Sequence, residues 1–203
     1  DLHLSIRRQR QMCIRDRMIT MKITSKDIIL DTDERIRMQS EPVQLPLSNE
    51  DRELLQAMLD YVRNSQNDEI AEAEDLQPAV GIAAVQVGVL KQMIAVVIPY
   101  EDGVDEVALV NPKIISESVQ NAYLDNGEGC LSVKGEHPGH VFRHARIKVR
   151  GYDLIQDKNV TISAEGYFAI CLQHEIDHLS GTLFYDHIDA NLSLIHISEP
   201  TRH

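Results

Sequence analysis

The chain is short of several things, and each shortage removes a class of function. It has no run of 18 apolar residues, so no segment predicts a membrane-spanning helix. Met21-Lys22-Ile23-Thr24 does not open a secretory signal, and no internal repeat is present. Only three cysteines occur, Cys13, Cys130 and Cys171. In a chain of cytoplasmic character such sparse thiols predict a ligand and a core residue, not a disulfide framework. Positive charge is also scarce: the formal net charge is −12. That argues against binding DNA or RNA through overall charge.

The first 17 residues, DLHLSIRRQRQMCIRDR, run against this trend and read at face value as a basic nucleic-acid arm. Arg7 to Arg17, however, resembles the translation of a transposase sequencing adapter. Leu192 to Arg202, LSLIHISEPTR, resembles the translation of the opposite adapter. Residues 1–17 and 192–203 are therefore expected to be non-native, disordered tails, with a single catalytic domain over 18–191. Cys13 falls in the first tail. Without the tails, 14 Lys+Arg and 29 Asp+Glu remain, a balance of −15.

Against this background one stretch carries chemistry. Cys171 to Gly181 reads CLQHEIDHLSG and contains an H-E-x-x-H motif at His174, Glu175 and His178. Residues four apart on an α-helix lie nearly above one another, so the two imidazoles can aim at one metal ion. Glu175 lies about 100° further round than His174, placed to move a proton beside the metal rather than to bind it. A solvated helix face is the bland alternative. The apolar company of Phe168, Ala169, Leu172, Ile176 and Leu179 predicts a buried helix instead, and buried histidines need partners.

A catalytic metal of this kind takes a third protein ligand. The extended motif H-E-x-x-H-x-x-G-x-x-H is matched at Gly181 but ends on Phe184. Downstream carboxylates before the second tail are limited to Asp186 and Asp189, so the search moves upstream, to Cys130, Cys171, His137, His140 and His144. Cys171 stands seven residues from His178, a rise of roughly 10.5 Å, too far for one ion on a regular helix. The histidines lie in a Gly/Pro loop and at a strand start, where solvent exposure is the default. Cys130, between Gly129 and Leu131, remains a candidate that would leave one coordination position open.

Regular structure is expected as follows. Residues 25–47 read as irregular. Ser48 caps a helix with an apolar stripe of Leu54, Leu55, Met58, Leu59 and Val62. Asn67 to Gln77 reads as an acidic surface loop. Gln92–Pro99 and Val107–Ser116 read as strands, Asp125–Val133 as a turn into an extended segment, Val141–Leu154 as one long strand and Val160–Ser163 as a last short one. Ser163 is expected to cap the H-E-x-x-H helix, with Glu165 in its first turn. The small residues Gly81, Ala83 and Ala84 mark a place of close backbone approach. The class is α+β, antiparallel strands around a central helix.

Three blocks in this order, GIAAVQ (Gly81 to Gln86), EGCLS (Glu128 to Ser132) and QHEIDH (Gln173 to His178), resemble the signature motifs of peptide deformylases. The likeness covers nearly all of residues 18–191 and is nearest to the longer class of Gram-positive bacteria. It implies a hydrolase that removes the N-formyl group from N-formylmethionyl nascent peptides and releases formate. It further implies Cys130, His174 and His178 as ligands of Fe2+, with Ni2+, Co2+ or Zn2+ as substitutes. By the same likeness Glu175 takes and returns the proton of a metal-activated water, while Gln86 and the Leu131 N–H stabilise the oxyanion. Val80, Gly81, Glu128, Gly129 and Cys171 are implied on the substrate side, Gly81 where the peptide adds as a strand and Cys171 beside the methionine pocket. A monomeric, cytoplasmic enzyme working at the ribosome, with neither DNA nor membrane as partner, completes the expectation. The family's first block commonly reads G-x-G-x-A-A-P-Q; here Ala79 and Val85 replace its first glycine and its proline. A noncatalytic metal- and peptide-binding paralogue is the alternative, and an internal-bond metalloprotease a weaker one that leaves EGCLS and GIAAVQ unexplained.

Overall fold

The computed structural model describes residues 21–188; both expected tails lie outside the described residues. Its organising strand is β2, Met93–Tyr100, whose run MIAVVI is apolar on both faces. Such a strand needs cover on both sides. Met93, Ala95 and Val97 point to one face, against Leu55, Met58, Leu59 and Val62 of helix α1 (Asn49–Ser65). Ile94, Val96 and Ile98 point to the other, against Ala169, Leu172 and Cys171 of helix α3 (Gly166–His178). Period two in the strand meets the apolar stripes of two helices, and burying each Leu, Ile or Met side chain contributes about 1.5–3 kcal/mol.

The main sheet is antiparallel, in the order β1 (Gly81–Ala83), β2, β3 (Gly103–Glu117), β6 (Arg146–Asp153), β7 (Lys158–Glu165). β1 pairs with β2 through Gly81↔Val96, Ile82↔Ala95 and Ala83↔Ile94, and among the described residues its other edge has no strand partner. A separate ribbon joins β4 (Asn121–Ala122) and β5 (Arg143–His144). The α+β class with a central H-E-x-x-H helix is as expected, and the sheet lies between that helix and α1.

Several local expectations are corrected. Asn67 to Gln77 is not a loop throughout: Asn67 accepts from the Ile70 N–H and caps helix α2, Asp68–Glu74. Exposed Asp and Glu at its start suit the helix dipole, a preference outweighed in the sequence by overall polarity. The expected strand Val141–Leu154 is split at Ala145, where the Ala145 N–H bonds Gln120 O and the chain passes from the ribbon to the main sheet. Ser163 does not cap α3: it lies inside β7, which runs on to Glu165, and Gly166 opens the helix at φ 57°. Ser48 does cap α1, accepting from the Asp51 N–H at 3.1 Å.

Candidate metal centre

Helix α3 is apolar on most of its circumference, so its polar residues His174, Glu175 and His178 are carried into the interior. The helix ends at Leu179, and Gly181 turns the chain at φ 72°. A Cβ at Gly181 would stand 2.1 Å from the Arg37 carbonyl, so only glycine lets the chain pass there. His174 and His178 then face the irregular segment 128–132. Cys130 Sγ lies 3.3 Å from His178 Nε2, and Cys130, His174 and His178 place one donor atom each within 4.8 Å of one another. Cys171, His137, His140 and His144 do not join that group. His137 stacks on Tyr185 at 4.4 Å, and His144 Nδ1 lies 2.7 Å from Ser118 O.

The donor chemistry suits a divalent cation of borderline softness. Burial, followed by the charges of His174 and Arg143, pushes His178 well below the usual histidine range, which leaves a neutral imidazole. His174 is held from behind, with Nδ1 2.7 Å from Glu128 Oε2, so its other nitrogen faces the cluster. A carboxylate behind a ligating imidazole fixes the ring and raises its basicity.

Glu128, expected on the substrate side, lines the cavity, and both its oxygens are also engaged. Arg143 donates Nε to Oε1 at 2.6 Å and Nη2 to Oε2 at 2.9 Å, and its Nη1 reaches Asp177 Oδ2 at 2.5 Å. Arg143 and Glu128 side chains are each 4% exposed. Burial alone would raise the Glu128 carboxyl, but hydrogen bonds from Arg143 and His174 outweigh it and hold the group at about 2. Sequence reasoning missed Arg143. A lone arginine in an alternating segment reads as surface, and only the ribbon geometry turns it inward.

Glu175 sits beside the cluster with no such partner. It is 4% exposed, and Oε2 makes no hydrogen bond among the described residues. Burial raises its carboxyl to about 7. Its other oxygen lies against Gly81, where a Cβ would meet Oε1 at 2.5 Å. Gln86, 1% exposed, accepts from the Ala83 N–H at 2.8 Å through Oε1, which turns its NH2 toward Ser132 Oγ at 3.2 Å and Cys130 Sγ at 3.5 Å. Val85, in the place of the usual proline, is fully buried beside Ile36 in the core.

A cavity of about 560 Å³ opens before these groups, walled by Val80, Gly81, Gly129, Leu131, Cys171 and Glu175. Burial, with the nearby Glu175 charge, pushes the Cys171 thiol up to about 12, so it stays an uncharged wall residue.

Two imidazoles and a cysteine with converging donor atoms, a buried glutamate at their side and an open cavity are the arrangement of a metal-dependent hydrolase. Polypeptide deformylase is the family that matches residues 25–193, and the chain belongs to it. Curated relatives include Peptide deformylase 2 of Geobacillus stearothermophilus, 51% identical over 82% of this chain and 91% of that protein. The peptide deformylase of Staphylococcus epidermidis is 49% identical over 83% and 93%. Among solved structures, that of the Ehrlichia chaffeensis peptide deformylase in complex with actinonin aligns with a TM-score of 0.63 at 33% identity, covering 84% of this chain and 91% of that one. The family is metal-dependent, and no helix among the described residues is long and apolar enough to cross a membrane.

Proposed function

We propose that this chain hydrolyses the formyl amide of N-formylmethionyl peptides, with Cys130, His174 and His178 as metal ligands and Glu175 as proton carrier. The observation that carries it is the convergence of the three donor atoms within 4.8 Å beside a buried Glu175 at the wall of an open cavity. Fe2+ is the proposed ion, with Ni2+, Co2+ or Zn2+ as substitutes, since a Cys/His/His set accepts all of these. When bound there, the cation supplies Lewis acidity toward water and the formyl oxygen.

The chain's own residues do the rest. Glu175, raised to about 7, accepts a proton from the attacking water near neutral pH and passes it to the departing amine nitrogen. The formyl C–N bond breaks, formate leaves, and the peptide keeps a free amine. Gln86 Nε2, aimed by the Ala83 bond, and the Leu131 N–H stabilise the charge that develops on the formyl oxygen, each contributing on the order of 3 kcal/mol. The open edge of β1 at Gly81 and Val80 takes the peptide backbone as an added strand, Gly129 faces it across the cavity, and Cys171 lines the apolar pocket for methionine. Glu128 acts from behind His174. Nascent chains at the ribosome are the proposed substrate, a monomer in the cytoplasm the proposed setting, and neither DNA nor membrane is proposed as a partner.

The test is formate release from an N-formylmethionyl tripeptide, using protein purified anaerobically and loaded with ferrous iron or nickel. Turnover that disappears in Cys130→Ala is expected. Metal-loaded protein without turnover overturns the reading in favour of a noncatalytic paralogue.

A further inference from the structure

The cavity wall formed by Gln77 to Gly81 has little sheet to hold it. Pairing between β1 and β2 begins at Gly81, and the last backbone bond upstream of it is from the Val97 N–H to Val80 O at 2.8 Å. Before Val80 the chain leaves the ladder, yet Gln77, Pro78 and Ala79 still line the cavity. An edge without a ladder loses the geometry that backbone pairing would impose.

The last turn of α1 supplies what the sheet does not. Gln66, just after the helix, donates its NH2 to both Ala79 O at 2.9 Å and Val97 O at 2.8 Å, bridging the departing segment to β2 where their direct pairing ends. Ser65 Oγ accepts from the Ala79 N–H at 3.1 Å and donates to Val62 O at 2.9 Å. Tyr61 OH donates to Gln77 O at 3.2 Å. Ser65 is 3% exposed and Tyr61 2%, so water does not replace these bonds freely. Both backbone groups of Ala79 are thus held by side chains of one helix turn.

Resting on the function proposed above, we infer that Ser65 and Gln66 are positioning residues for the peptide beyond its formylated residue. Gly81 lies against Glu175, so the reacting amide belongs at that end of the segment. Ala79 stands two residues further back, about 6.6 Å along an extended chain. A peptide added antiparallel to β1 with its first residue opposite Gly81 brings its second and third residues opposite Val80 and Ala79. Ser65 and Gln66 therefore act on peptide length and not on the formyl chemistry. They also connect α1, which carries no catalytic group, to the cavity.

The experiment compares N-formylmethionyl tripeptide with N-formylmethionine amide on the metal-loaded wild type, Gln66→Glu, Ser65→Ala and Ser65→Thr. Gln66→Glu keeps the shape but presents two carbonyls with an acceptor. The ratio of KM for tripeptide to KM for the amide is expected to rise about tenfold in Gln66→Glu and several-fold in Ser65→Ala, with kcat on the tripeptide within about twofold. Ser65→Thr, which keeps the hydroxyl, is expected to restore the wild-type ratio. Should Gln66→Glu not fold, Ser65→Ala reads the same quantity at the same backbone groups. An unchanged KM ratio, or an equal loss on both substrates accompanied by a lower melting temperature, overturns the inference and assigns these residues to stability alone. If the wild type releases formate from neither substrate, the proposed function fails and this inference with it; wild-type turnover with unchanged ratios sinks only the inference.

Discussion

Glu175 Oε2 makes no hydrogen bond among the described residues, and burial raises the carboxyl to about 7, which suits the proposed role of proton carrier. Replacing it by glutamine keeps size and burial but removes the exchangeable proton. Glu175→Gln is expected to bind metal as the wild type does while formate release falls about 10²–10⁴-fold, measured side by side on metal-loaded proteins; comparable rates would reassign the role. Gly81 sets where that carboxylate can lie. A methyl group at Gly81 would sit 2.5 Å from Glu175 Oε1, so Gly81→Ala must push the carboxylate away from its place. Turnover is expected to drop at least about tenfold with metal content unchanged.

Among the elements, the ribbon β4–β5 is tied to helix α3 by Arg143 and by Gln173, which accepts from the His144 N–H at 3.0 Å and donates to His144 O at 2.9 Å. Arg143 spans Glu128 and Asp177, and Asp177 also lies 2.8 Å from His187 Nε2. Arg143→Met leaves the Glu128 carboxylate buried without its principal partner, a change expected to cost about 3–5 kcal/mol in urea unfolding. Adding Glu128→Gln should recover part of that loss; a double variant less stable than Arg143→Met would contradict the pairing.

Helix α1 is held at its start by a different device. Asp51 accepts from Ser48 Oγ at 2.8 Å and pairs with Lys91. Burial works to raise its carboxyl, but the bonds from Lys91 and Ser48 prevail and keep it below the ordinary aspartate range. A carboxylate whose folded value is lowered adds stability that is complete above its unfolded value, about 3.9, and is lost as pH falls through the folded one. Wild type should therefore exceed Asp51→Asn in stability at pH 7, and the gap should shrink below about pH 4. A gap that widens in acid would reverse the sign of this account.

For the whole molecule the metal is also a fold component. The three proposed ligands, Cys130, His174 and His178, would join α3 to segment 128–132, which lies in no strand. A cation at 100 times its dissociation constant is expected to add about 2.7 kcal/mol, which for a domain of this size raises the melting temperature by about 5–10 °C. Chelation should remove the gain, and Cys130→Ala should not show it. Equal shifts in both proteins would place the ion elsewhere.

Much of this molecule was legible before its structure. The H-E-x-x-H spacing needs only helix geometry to bring His174 and His178 together, and the apolar residues around them require the helix to be buried. The apolar run within Gln92–Pro99 reads as a strand from its own composition, and the Ser48 cap is a local event. These features depend on residues within a few positions of one another.

What stayed hidden depends on distant groups. Cys130 lies 44 positions before His174, and spacing alone left it one candidate among five; the fold brings its sulfur to 3.3 Å from His178 Nε2. Glu128 is implied on the substrate side by the family likeness alone, and the partners that engage both its oxygens, Arg143 and His174, lie 15 and 46 positions away in sequence. Ser65 and Gln66 carry no signal in the sequence, since a hydroxyl and an amide bond whatever backbone lies nearest. The sequence by itself determined the helix that carries His174 and His178 and the strand it packs on, because period and burial are short-range facts. Only the tertiary structure decided that Cys130, Arg143 and the end of α1 come together around the proposed site, because those partners meet by packing and not by spacing.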